Sequence, residues 1–188
     1  KITARDDLSI GGTFDKSGLA ENARIGEAGD TIVLDYGDHA IARTLMITQQ
    51  PLPIDPGLEA DWFASDLYAG LPRLPAAQRE QWTPQQLSLE RLQAFSVKKG
   101  CYPGQEIVAR THFLGKAKRG LVLLQADTML EAGMEVSDGE RVIGGIISAS
   151  EGDARLAMAV LPVDRSTNSL EANGASLREV TLRNGLAR

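Results

Sequence analysis

Apolar and polar positions along the chain change their spacing near residue 115. Before that point, two short apolar runs at 31–35 and 40–48 flank the tetrapeptide Tyr-Gly-Asp-His and predict a β-hairpin. Residues 1–8 alternate in part and predict a further strand, while the Gly-Gly pair at 11–12 predicts a loop. The first part of the chain therefore contains strands of its own.

Helical spacing of apolar residues follows a proline-rich stretch at 51–57. It predicts one helix over 58–69, a second beginning with Thr-Pro at 83–84, and a third over 105–113. Threonine is a favoured N-cap and proline a favoured first helical residue, which supports the start of the second helix. Strands and helices thus mix before residue 115.

Short β-type runs separated by glycine and Asx turns fill the rest of the chain. The runs lie at 121–124, 142–147, 156–161 and 177–182. Repeated short strands with such turns are typical of a small antiparallel barrel. We therefore predict an α+β protein with two domains, a mixed region over 1–115 and a β-barrel over 116–188.

Composition narrows the class of protein. With 188 residues and 43% hydrophobic content, the chain suits one compact domain or two small ones. The sequence contains no apolar run long enough to span a bilayer, so we expect no membrane association. A single cysteine cannot form an intrachain disulfide, which fits a reducing cytosol, and we predict a cytoplasmic location.

Charge is distributed unevenly. The net charge is −5, yet residues 98–119 contain six basic side chains and one acidic side chain. A basic segment in an acidic protein is a candidate site for an anion such as a phosphate, a polyglutamate tail or RNA. A solvated basic surface is the alternative interpretation.

The only cysteine, Cys101, lies inside this basic segment. Two preceding lysines and the predicted helix start at Gly104 would both favour the thiolate over the thiol. Lysines are seldom buried, which favours an accessible thiol over a buried structural cysteine. We therefore predict that Cys101 is reactive or contacts a ligand.

The sequence contains few cysteine and histidine residues that could bind a metal. One cysteine and two histidines, His39 and His112, are too few for the four thiolates of a typical iron–sulfur cluster. The same shortage argues against a closed structural zinc site. We predict no resident metal, and no residue pattern supports a catalytic triad.

The sequence around Cys101 resembles a family signature. Residues 99–106 read Lys-Gly-Cys-Tyr-Pro-Gly-Gln-Glu, which is similar to the K-G-C-[FY]-x-G-Q-E signature of the YgfZ family. These are folate-binding proteins related to the glycine cleavage T-protein. The resemblance extends over about 58–125 and includes Trp62, the Thr-Pro-Gln at 83–85 and the Ile-Val-Ala-Arg-Thr at 107–111.

The resemblance implies a fold and a function. We expect a partial T-protein-like domain followed by the barrel, and an accessory role in iron–sulfur cluster assembly or repair. Tetrahydrofolate or a related folate is the implied cofactor, iron–sulfur client or assembly proteins are the implied partners, and a link to tRNA modification is indirect. The implied reactive residue is Cys101, and the implied folate-binding residues are Trp62, Lys99, Tyr102, Gln105, Glu106 and Arg110.

Several roles have alternatives. Glu106 could accept paired hydrogen bonds from a pterin edge or only complement a helix N-terminus, and Trp62 could contact folate or belong to the core. The family usually has Asn where this chain has Ser88, and its members extend further at the N-terminus, so we expect an incomplete folate site here. An aminomethyltransferase of the T-protein type is the alternative function, and a nucleic-acid-binding module ranks third.

Overall fold

The computed structural model describes residues 3–22, 24–97, 103–115, 117–150, 152–165 and 169–183. The chain divides into two compact units, one of residues up to Trp62 and the other comprising Phe63–Arg183. Helix α1, Pro56–Ala69, contributes to both units. The predicted domain boundary between residues 115 and 116 stays a prediction.

A four-stranded antiparallel sheet forms the first unit. Its strand order is β1-β4-β3-β2. The strands are β1 Ser9–Thr13, β2 Gly26–Ala28, β3 Thr31–Asp35 and β4 Thr44–Thr48. The pairing of β3 with β4 confirms the predicted hairpin, although β4 begins later than the apolar run suggested.

The strand predicted over 1–8 does not form in its described part, residues 3–8, and the loop predicted at 11–12 was wrong, because β1 includes both glycines. At Gly11 and Gly12, the side chains of other residues approach the backbone closely. A Cβ at Gly12 would lie 2.5 Å from the ring of Trp62, and one at Gly11 would lie 2.4 Å from the side chain of Leu52. Glycine inside a strand often marks such a close approach.

A closed antiparallel barrel forms most of the second unit, as predicted. Its strand order is β10-β5-β8-β7-β6-β9, and the ring closes where β9 pairs with β10. The strands are β5 Arg119–Gln125, β6 Glu135–Ser137, β7 Val142–Ala149, β8 Leu156–Pro162, β9 Leu170–Ala172 and β10 Ala175–Val180.

Two hydrophobic clusters explain the long apolar runs of β5 and β8. Alternate residues of β5, such as Val122 and Leu124, pack in one cluster inside the barrel. The other alternate residues of β5, Leu121 and Leu123, pack outside the barrel with Leu67 of α1. Strands buried on both faces become continuously apolar rather than alternating, and all six residues from Leu156 to Leu161 are buried.

The segment after Thr83 differs from its prediction. The backbone N–H of Gln86 donates to the Thr83 hydroxyl at 3.3 Å, and the Gln86 amide oxygen accepts from the Thr83 N–H at 3.0 Å. This is the start of a capping box, but Ser88 adopts a φ of +52° and only a 3₁₀ helix, Leu89–Leu92, follows. A left-handed residue cannot continue an α-helix, so the predicted helix was wrong.

Candidate functional site

Helix α2, Gln105–Leu114, contains three of the predicted site residues, Gln105, Glu106 and Arg110. Cys101, Lys99 and Tyr102 lie outside the described residues, so their predicted roles stay predictions. Gly104 is the N-cap of α2 and has a φ of +83°, a conformation that favours glycine. The helix predicted over 105–113 is confirmed.

Three contacts position α2 within the second unit. Val108 is buried, and its backbone carbonyl accepts a hydrogen bond of 2.9 Å from the side-chain amide of Gln85. Farther along the helix, His112 Nδ1 lies 3.3 Å from Glu90 Oε1. The helix is therefore held against the segment that contains the 3₁₀ helix.

The predicted ligand residues on α2 differ in exposure. Gln105 is partly buried, whereas Glu106 and Arg110 are exposed. Residues four apart lie on the same side of a helix, so the Glu106 carboxylate and the Arg110 guanidinium share one side. Glu106 is also in the first turn, where a negative charge favours the helix. Both roles suggested for Glu106 fit this position.

Trp62 lies in an aromatic cluster of the first unit. Its ring stacks on Tyr36, with centroids 5.9 Å apart and planes 13° apart, and it contacts Phe14 at 5.8 Å. Trp62 is only partly buried. The indole therefore packs against two other rings and is still partly exposed. Its proposed contact with folate stays a prediction.

Arg43 completes this cluster, and no sequence pattern predicted its place there. Its guanidinium carbon lies 4.9 Å from the Tyr36 ring centroid and 5.0 Å from that of Trp62, while the residue is 1% exposed. A guanidinium is attracted to the electron-rich face of an aromatic ring, most strongly where water is excluded. Arg43 thus fixes the position of the two rings.

A cleft of about 540 Å³ lies beside α2. Its lining includes Gln85, Ser88, Glu90, Arg91, Thr111 and His112. Among the polar atoms of this part of the chain, Gln85 Oε1 and Arg91 Nε are buried without a hydrogen-bond partner. The cleft is therefore lined by His112 and Glu90, which contact each other, and by two residues that each have a buried polar atom without a partner.

Arg91 is chiefly a structural residue. Its Nη1 donates to the carbonyl of Arg183 and its Nη2 to that of Ala69, each at 2.7 Å. Burial lowers the pKa of Arg91. The side chain joins the end of α1 to the chain that leaves β10, a role for which the sequence carried no signal.

Ser88 is also engaged. Its hydroxyl accepts a hydrogen bond of 3.1 Å from the backbone N–H of Leu121 in β5. Its backbone is left-handed, a conformation that non-glycine residues seldom adopt and Asn adopts more often than most.

The basic segment is described in part. Arg110 and Lys118 are exposed, and Arg119 donates to the carbonyl of Ile143 at 2.7 Å. Lys98, Lys99 and Lys116 lie outside the described residues. Within the residues described, there is no group of three or more His, Cys, Asp or Glu side chains that could hold a metal ion. None of the described helices is long and apolar enough to cross a bilayer.

Comparison with known proteins supports the fold. No model of a known protein family matches the chain. The chain is similar in structure to the glycine cleavage system aminomethyltransferase T from Bartonella henselae, with a TM-score of 0.51 and 17% sequence identity. The similarity covers 85% of this chain and 51% of the other, so the chain spans about half the length of that protein. The chain has a fold like that of the glycine cleavage T-protein.

Proposed function

We propose that this chain belongs to a folate-binding accessory protein of the YgfZ type, which supports iron–sulfur cluster assembly or repair in the cytoplasm. Cys101 is its working thiol, and iron–sulfur proteins are its partners. Its connection with tRNA modification is indirect and runs through such clients. It acts as an accessory factor rather than as an enzyme.

One observation carries this proposal: the octapeptide at 99–106 leads directly into α2 of a T-protein-like fold. The sequence match alone is short, and structural similarity at 17% identity supports only the fold. The two differ in kind, because one concerns residue identity and the other backbone geometry. Together they favour the YgfZ type over an unrelated protein with the same motif.

The chemistry of the segment suits a working thiol. Lys98 and Lys99 precede Cys101, and the N-terminus of α2 follows it in the chain. Positive charge and a helix N-terminus both favour a thiolate, which is the nucleophilic and metal-binding form. Because one thiolate cannot hold a cluster, we propose that Cys101 acts on the cluster of another protein.

The described residues of α2 fit a folate chemically. The exposed Glu106 carboxylate can accept two hydrogen bonds from the amidine-like edge of a pterin, and the exposed Arg110 can bind a carboxylate of the glutamate tail. Lys99 would add positive charge, while Gln105, Tyr102 and Trp62 would supply polar and aromatic contacts. Tetrahydrofolate would serve as a one-carbon carrier or as a regulatory ligand.

Complementation tests this proposal. In a strain that lacks the gene and has lost the activity of an iron–sulfur enzyme, the full-length gene should restore that activity. Cys101→Ser keeps the size and polarity of the side chain without a thiolate, and it should fail as completely as Cys101→Ala. Circular dichroism of both variants controls for folding. Full rescue by either variant would contradict the role of the thiol.

An aminomethyltransferase is the second candidate, because the similar solved structure is itself an aminomethyltransferase. That reaction would require transfer of a methylene group from a lipoyl donor to tetrahydrofolate. T-proteins lack the cysteine motif, which favours the accessory role. Measurable methylene transfer by the full-length protein, undiminished in Cys101→Ser, would establish the second candidate instead.

A further inference from the structure

We infer that Gly12 and Arg43 are positioning residues for Trp62, and that they hold its indole in the orientation in which it contacts an aromatic ring of the folate. This inference rests on the proposed function, in which Trp62 supplies an aromatic contact to the ligand. It adds the two residues that set the orientation of that contact. All three residues belong to the first unit.

The six-membered ring of the Trp62 indole lies over the backbone of Gly12. A Cβ at Gly12 would lie 2.5 Å from the indole carbon Cζ3 and 2.8 Å from each of its neighbours in the ring, Cε3 and Cη2. Distances this similar to three adjacent carbons indicate that the ring turns its face, and not its edge, toward the strand. Because glycine has no side chain, the indole can lie flat against β1 at this point.

The other neighbours of the indole come from the same face of the sheet. Gly12 pairs with Leu45, and Leu45 pairs with Leu34. Arg43 lies two residues before Leu45, and Tyr36 lies two residues after Leu34. Residues two apart in a strand point to the same face. The backbone N–H of Tyr36 also donates to the carbonyl of Arg43 at 2.8 Å, which extends the pairing of β3 with β4 to these two residues.

Arg43 adds a charged contact from which water is excluded. Its guanidinium carbon lies 5.0 Å from the Trp62 ring centroid, and the residue is 1% exposed. A cation–aromatic contact is stronger when it is desolvated. Trp62 itself is only partly buried, so a ligand can reach part of an indole that the protein already holds. A side chain fixed before binding loses little conformational entropy when the ligand arrives.

The orientation of the indole matters to the ligand because aromatic pairs depend on geometry. Rings attract each other in offset-stacked or edge-to-face arrangements, and the attraction falls when one ring is displaced. The pterin and the benzoyl group of a folate are both planar rings of this kind. A change at Gly12 that lifts the indole from the strand should therefore weaken folate binding without removing any group that touches the ligand.

Two neighbouring glycines provide a matched test. Gly11 and Gly12 both lie in β1, neither has a left-handed φ, and a Cβ would approach a side chain to 2.4 Å at the first and 2.5 Å at the second. At Gly11 that side chain is Leu52, and at Gly12 it is Trp62. The Kd of tetrahydrofolate for the full-length protein is measured by isothermal titration calorimetry. Gly12→Ala should weaken binding about tenfold, and Gly11→Ala should stay within about twofold of the wild type.

A double-mutant cycle separates positioning from general damage to the strand. In a Trp62→Leu background, Gly12→Ala should weaken binding no further, because the side chain through which it acts is gone. Arg43→Lys keeps the charge without the flat guanidinium; it should weaken binding about threefold and should likewise have no further effect in that background. Circular dichroism and urea denaturation check the folding of each variant, and Arg43→Lys provides the test if Gly12→Ala does not fold.

The outcomes separate this inference from the proposed function. If the wild type binds tetrahydrofolate but Gly11→Ala and Gly12→Ala weaken binding equally, or Trp62→Leu binds as the wild type does, the positioning role is wrong, and the working thiol still stands on complementation by Cys101. An equal loss from Gly12→Ala with and without the indole also overturns the inference. If the wild type does not bind tetrahydrofolate, the folate-binding part of the proposed function fails, and this inference fails with it.

Discussion

The hydroxyl of Ser88 accepts a hydrogen bond of 3.1 Å from the backbone N–H of Leu121, and thereby joins the segment beside α2 to the first strand of the barrel. Leu121 is a buried residue of β5. The bond therefore supplies a partner to an N–H group that water reaches poorly.

Removal of this acceptor should destabilise the protein. Ser88→Ala leaves the Leu121 N–H without its partner, and a buried unsatisfied donor costs about 1–3 kcal/mol. Ser176→Ala, at an exposed serine of β10, should change the free energy of unfolding by less than about 0.5 kcal/mol. Urea denaturation followed by circular dichroism measures both, and equal effects would show that the Ser88 bond contributes little.

Gly70 should tolerate alanine less well than another glycine with the same backbone. Gly70 and Gly174 have φ values of +72° and +77°, and only Gly70 has a neighbour in the space of a Cβ, which would lie 1.9 Å from Arg91 Nη2. Left-handed backbone should cost either alanine variant about 1–2 kcal/mol.

Gly70→Ala should cost about 1–3 kcal/mol more, because the new methyl group displaces Arg91 from the carbonyl of Ala69. Thermal unfolding of the two variants in parallel measures the difference. If Gly70→Ala and Gly174→Ala lose the same stability, the Arg91 bridge is not a significant constraint on the end of α1.

The stabilising contribution of Asp138 to the barrel should be lost in acid. Its carboxylate accepts hydrogen bonds from the backbone N–H groups of Arg141 at 3.1 Å and Glu140 at 3.2 Å, and these bonds lower the pKa of Asp138. A carboxyl whose pKa falls on folding stabilises the native state above its unfolded pKa of about 3.9. That contribution is lost as the pH falls through the folded pKa.

The matched variants are Asp138→Asn and Asp153→Asn, the second at an exposed aspartate of another turn. The denaturation midpoints of the wild type and Asp138→Asn should differ at pH 7 and should come closer together at pH 3. Asp153→Asn should follow the wild type at both values. A constant gap between the wild type and Asp138→Asn would show that the turn is not the titrating element.

The barrel was predictable because its strands carry their own signal. Runs such as 156–161 are apolar throughout, and the turns between strands contain glycine. The segment after Thr83 was not predictable in the same way, because its capping box favours a helix that Ser88 then ends. Local propensity therefore accounts for the first turn after Thr83. The path of the chain beyond it differs from an α-helix, and at Ser88 it includes the hydrogen bond with Leu121.

Only part of the candidate site could be predicted from the sequence. The motif and the helix after it follow from residue order, so Gln105, Glu106 and Arg110 could be placed on α2. Arg43 could not be predicted, because a buried arginine depends on the aromatic rings that fold against it. No spacing rule brings Arg43, just before β4, to Trp62 in helix α1.

Alkylation of Cys101 tests the central claim most directly, because Cys101 is the one cysteine of the 188-residue sequence and the peptide that contains it can be followed by mass spectrometry. The rate of reaction with iodoacetamide is measured from pH 5 to 10 on the full-length protein, with and without tetrahydrofolate. We expect an apparent pKa below the ordinary thiol value of about 8.5 and slower alkylation when tetrahydrofolate is bound. An apparent pKa at or above that value, with no protection by tetrahydrofolate, would contradict a working thiol beside a folate site.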